Sequence, residues 1–134
     1  MRTEESRTIR LVDYRPSDWL IDTVDLDIAL HPTRTRVRAL LSLRPNPAGD
    51  PDAPLVLDGD ELVLEAIEVD GTVPSDAAFV AGPQELRLHQ PPRRAFTLML
   101  ETELDPSANT KLMGLYRSSN VYCTQCEADG FRRI

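Results

Sequence analysis

The sequence has little that is chemically reactive and little that marks a membrane, a secreted scaffold or a nucleic-acid surface. Two cysteines in 134 residues are too few for the disulfide framework of a small secreted domain. No apolar run approaches the roughly 20 residues that cross a bilayer. The first ten residues lack the apolar segment of a secretory signal. A cytoplasmic location is therefore expected, with both thiols reduced and no membrane partner. The net charge of −7 argues against a nucleic-acid partner, because phosphate binding needs concentrated Lys and Arg. There is no P-loop, no Rossmann glycine pattern and no EF-hand spacing. No stretch carries apolar residues at helical three-and-four spacing over a convincing length.

What is present is period-two alternation. With 41% hydrophobic and 28% charged residues, the chain reads as one soluble β domain over 1–134. Residues 1–18 are polar and contain Pro16, which biases Arg15 toward extended backbone; they read as an arm. Strands fill 19–104. Val24, Leu26, Ile28 and Leu30 share one face, with Thr23, Asp25, Asp27 and Ala29 on the other, as in a half-buried strand. His31-Pro32-Thr33-Arg34 turns the chain into a second strand with Val37, Ala39, Leu41 and Leu43 inward, so the two form a hairpin. Residues 44–54 hold Pro45, Pro47, Pro51 and Pro54 and read as a loop. Short strands follow over 55–58, 62–69, 78–80, 85–88 and 96–104, with turn signals at Asp58-Gly59 and Asp70-Gly71. This pattern predicts an all-β fold, a sandwich or open barrel of antiparallel sheet.

Reactive side chains gather only near the C-terminal end, in Val121-Tyr-Cys-Thr-Gln-Cys-Glu-Ala-Asp-Gly-Phe-Arg-Arg133. Cys123 and Cys126 have CxxC spacing, but a structural zinc site needs four ligands. The two histidines, His31 and His89, are far apart in sequence and read as solvated surface groups. A redox CxxC would open a helix, which this chain does not show. Reduced structural thiols are the plain reading of the pair, with a small zinc or redox module as an alternative. Asp25 with Asp27, and Asp58 with Asp60, read as the wet side of strands. Glu127 and Asp129, beside Gln125 in a loop, are suited to holding a cationic group such as an amine, or are simply solvated acids.

At this loop the chain resembles the amino-terminal domain of the aminopeptidase N family, zinc exopeptidases of the gluzincin type. The resemblance rests on Cys123-Thr-Gln-Cys-Glu-Ala-Asp-Gly-Phe-Arg132 preceded by Gly114-Leu-Tyr-Arg-Ser118. Asp13-Tyr-Arg15 with residues 21–30, Leu55-Val-Leu-Asp-Gly59 and Ser107-Ala-Asn-Thr110 agree in order and spacing. The resemblance implies a curved antiparallel β domain, saddle-like and incomplete at its C-terminal end, that packs on a catalytic domain. It implies a substrate-anchoring region over 105–134. There Gln125 lines the pocket for the first substrate side chain and Glu127 binds the free α-amino group of a peptide N-terminus. It assigns no metal to Cys123 or Cys126 and no role to Asp129.

The family's His-Glu-x-x-His and Gly-x-Met-Glu-Asn motifs are absent from this sequence. The resemblance places them, with the zinc, in a catalytic domain beyond Ile134, so no cofactor and no peptidase activity are expected of this chain alone. Marginal stability and self-association through 121–134 are expected as well, since unpaired strand edges invite pairing. A non-catalytic β-sandwich interaction module is the alternative of a different class.

Overall fold

A computed structural model describes residues 10–126. The described chain contains nine strands and two single-turn 3-10 segments, at Leu11–Asp13 and Asp76–Ala78, and no α-helix. The strands are β1 (Trp19–Ala29), β2 (Thr35–Pro45), β3 (Leu55–Asp58), β4 (Val63–Val69), β5 (Phe79–Ala81), β6 (Glu85–Leu88), β7 (Phe96–Leu104), β8 (Gly114–Ser118) and β9 (Val121–Gln125). All pairs are antiparallel. They form a four-stranded sheet in the order β1-β2-β7-β4, a three-stranded sheet β3-β6-β5 and the hairpin β8-β9.

Alternation in the sequence decides which face of the large sheet is apolar. Register places Leu41 opposite Leu98 and Leu43 opposite Phe96, while Ile67 and Val69 of β4 face Leu100 and Leu98. The three-stranded sheet brings Leu55 and Leu88 onto this face, closing a core that also holds Trp19. Leu43 and Leu98 are each 1% exposed, and full burial of such a side chain contributes about 1.5–3 kcal/mol. Trp19 meets Phe96 edge-on at 5.8 Å between ring centroids. Its indole N–H donates to the Pro54 carbonyl at 3.1 Å, so the one polar atom of the ring is satisfied.

The turns obey local chemistry. Asp70 and Gly71 both take positive φ, +50° and +76°, and join Val69 to Thr72 by paired backbone bonds of 2.8 and 3.0 Å. That is the left-handed geometry for which Asp-Gly is suited. Gly49 serves a different need. A Cβ there would sit 2.7 Å from the Asp18 Cα, so glycine lets the proline-rich loop lie against the start of β1.

The expected half-buried face of β1 is corrected by the structure. Val24, Leu26, Ile28 and Leu30 are about half exposed, at 52, 56, 48 and 55%. The alternation is real, but β1 is at the sheet's edge and the three-stranded sheet packs over β2, β7 and β4 instead. Periodicity reports which face is apolar, not whether a second layer covers it. The strand expected at 78–80 runs one residue later, and the arm contains a 3-10 turn at Leu11–Asp13.

Candidate functional site

The region singled out by its reactive side chains is a β-hairpin rather than a loop up to Gln125. Ser119 and Asn120 have φ of +48° and +65°, a two-residue turn of the kind whose twist matches antiparallel strands. Gln125 is the last residue of β9, pairs with Gly114 and is exposed. Cys123 pairs with Tyr116 inside the hairpin, and Cys126 follows the strand. Both cysteines are partly buried. Glu127 and Asp129, expected to hold an amine, lie outside the described residues.

An isolated two-stranded hairpin is marginal in water, so its attachment decides whether Gln125 has a fixed position. The loop 105–113 supplies that attachment. The Asn109 side-chain amide donates to the carbonyls of Met113 and Leu115 at 2.8 and 2.9 Å. The Arg117 N–H donates to the Pro106 carbonyl at 3.1 Å. Ser107 ties the loop to the β1–β2 turn, its hydroxyl donating to the Pro32 carbonyl at 2.6 Å. Lys111 bridges to both carboxylate oxygens of Asp60 at 2.9 Å, next to the start of β4. The hairpin is thereby pinned to the turn end of the large sheet.

Arg117 was not singled out by sequence reasoning. Its guanidinium lies 5.2 Å from the Tyr122 ring centroid, a cation–π contact. Its Nε is buried and has no hydrogen-bond partner among the described residues. The signal was in the sequence: a two-residue turn at Ser119-Asn120 makes Arg117 and Tyr122 a directly opposed cross-strand pair.

Among the described residues, no three His, Cys, Asp or Glu side chains gather closely enough to hold a metal ion. His31 and His89 are both exposed, and the His31 ring nitrogen Nδ1 accepts from the Thr33 N–H at 3.3 Å within its own turn. Asp25 and Asp27 are likewise exposed on β1. A cleft of about 80 Å³ opens between the two sheets, lined by Leu57, Leu64, Leu86 and Leu100 with Thr102 at its edge. It is distant in sequence from the hairpin's reactive groups and too small for a peptide.

No protein-family model matches the chain. Individual relatives do. The chain is 46% identical over all 134 residues to an aminopeptidase N of Caulobacter vibrioides. It is 39% identical over 125 residues to an aminopeptidase N of Escherichia coli. It spans only 15% and 13% of those proteins' lengths. A crystal structure of Legionella pneumophila aminopeptidase A with aspartic acid matches 93% of the chain at 28% identity, with a TM-score of 0.79. A Deinococcus radiodurans M1 zinc metallopeptidase bound to a Tyr-Ser-Ala substrate shares the fold over 78% of the chain, with a TM-score of 0.58.

Fold and sequence together define the class: an antiparallel β domain of the kind found at the amino-terminal end of M1 metallopeptidases. Within that class the chain is similar to the amino-terminal part of aminopeptidase N.

Proposed function

We propose that this β domain anchors the free N-terminus of a peptide for a zinc aminopeptidase that acts in the cytoplasm. Residues 105–134 form its anchoring region. The reading is carried by the β8-β9 hairpin, which is tied to the turn end of the large sheet and stops at an exposed Gln125. In this reading Gln125 borders the pocket for the first side chain, and the Glu127 carboxylate accepts charge-assisted hydrogen bonds from the α-ammonium. A carboxylate shielded from water and left without its ammonium carries an unrecovered desolvation cost. Blocked and internal peptides are disfavoured on that account. Zinc, held by residues of a catalytic domain and none of this chain, supplies the activated water. The chain by itself has no peptidase activity.

The test is a chimera in which this chain replaces the matching 15% of the Caulobacter enzyme. Glu127→Gln is expected to raise KM for an unblocked alanyl arylamide by about tenfold or more, with a smaller effect on kcat. Gln125→Ala is expected to change the ranking of substrates by their first residue. An unchanged KM in both variants would remove the anchoring role and leave a plain interaction module. Stoichiometric zinc in the purified chain alone would move Cys123 and Cys126 to the centre instead.

A further inference from the structure

The apolar face of the large sheet continues past the region that the three-stranded sheet covers. Register carries it from the buried Leu41 to Val24, and from Ala39 and Val37 to Leu26 and Ile28. With Leu30 these residues form a strip along β1 that stays about half exposed. β1 is also an edge strand, so one row of its backbone N–H and C=O groups has no strand beside it among the described residues. On its opposite face the same strand alternates Asp25 and Asp27. An exposed apolar strip beside an open strand edge is the combination that takes up a further strand.

We propose that β1 is the docking edge for a strand of the longer aminopeptidase polypeptide, one that alternates apolar and basic residues. Its apolar side chains extend the strip formed by Val24, Leu26 and Ile28, and its Lys or Arg side chains lie across from Asp25 and Asp27. Two observations choose this occupant. The first is charge: a second copy pairing β1 with β1 in antiparallel register about Leu26 sets Asp25 against Asp27 twice, and directly opposed like charges are destabilising. The second is length. A relative 46% identical over every residue of this chain has most of its polypeptide outside the matched stretch, which is 15% of its length. The proposal rests on the reading of this chain as part of such an enzyme.

Leu26→Cys tests it. The thiol is labelled with a maleimide in the isolated chain and in the chimera with the Caulobacter enzyme, and site-resolved mass spectrometry separates it from Cys123 and Cys126. Val73→Cys, at a residue 70% exposed in the turn after β4, is the control. The expected result is labelling at position 26 slowed about tenfold or more in the chimera, with position 73 unchanged. Amide exchange in β1 is expected to slow in parallel. Equal labelling at 26 in both proteins overturns the proposal. Protection at 26 that appears in the isolated chain on raising its own concentration overturns it in favour of a second copy. Should the chimera not fold, the cysteine is placed at the aligned position of the Caulobacter enzyme itself, with the same two outcomes. Peptidase activity separates the two readings: an active chimera with an open β1 sinks only the docking edge, and a protected β1 without amine selectivity sinks only the anchoring role.

Discussion

Thr35 shows how a single hydroxyl can hold a turn. It is fully buried, at 0% exposure. Its Oγ1 donates to the His31 carbonyl at 2.7 Å and accepts from the His31 N–H at 3.0 Å. Thr35→Val preserves the shape and leaves both His31 groups unpaired, at a cost of about 1–3 kcal/mol. Thr35→Ser retains both bonds. Urea unfolding should therefore place the Val variant well below the Ser variant, and equal midpoints would mean water takes over both partners. Asp70 makes a different kind of contribution. The Thr97 N–H, first, and then the Arg94 guanidinium hold its carboxyl below the ordinary value of 3.8. The folded chain thus binds fewer protons than the unfolded one in that range. The contribution is complete above pH 3.8 and is lost as pH falls through the lowered folded value. Asp70→Asn keeps a residue tolerant of the left-handed turn and removes this dependence. It should be less stable than the parent at neutral pH, with the gap closing in acid. A constant gap between their melting temperatures from pH 6 to about pH 3 would reject the assignment. Glu103, lowered chiefly by its Arg34 hydrogen bonds, titrates in both proteins and does not blur the comparison.

At the scale of elements, period-two alternation was enough to place most of the strands. Glu85–Leu88 and Phe96–Leu104 fall where the sequence puts them, because each is a short alternating run between turn residues. The hairpin β1-β2 follows from the Pro32 turn in the same way. What alternation did not contain is the layer over each face. β1 and β2 have the same pattern, yet Leu41 and Leu43 are buried while Val24 and Leu26 are half exposed. The difference is set by strand order, a property of long-range pairing that no local window records. The hairpin was legible to a similar depth. The reactive side chains singled out the segment that holds β9, and the turn at Ser119-Asn120 was readable as a polar break. The bonds that fix the hairpin were not, since Ser107 to Pro32 and Lys111 to Asp60 join residues 75 and 51 apart in sequence. Two exposed-to-intermediate ends such as Lys111 and Asp60 contribute little stability individually; their value is in fixing where the hairpin sits.

For the whole molecule, the open edge of β1 and the net charge of −7 work against each other. Self-association was expected from the sequence at residues 121–134, and the structure adds β1 as a second place for it. Apolar exposure at Val24, Leu26 and Ile28 favours association, while Asp25 and Asp27 oppose the symmetric pairing that would satisfy it. Two opposed Asp25–Asp27 contacts at about 0.2–1 kcal/mol each sum to about 0.4–2 kcal/mol, or up to roughly thirtyfold in a dimer constant. The double variant Asp25→Asn/Asp27→Asn should therefore dimerise more tightly than the parent in sedimentation at about 0.02 M salt. The difference should narrow at about 0.5 M, where screening already weakens the repulsion in the parent. A Leu26→Lys change added to the double variant should return it to monomer, since it removes the apolar gain and leaves the edge otherwise intact. Identical sedimentation of parent and double variant at low salt would mean that the aspartates do not guard this edge, and the charge argument for a basic partner strand would go with them.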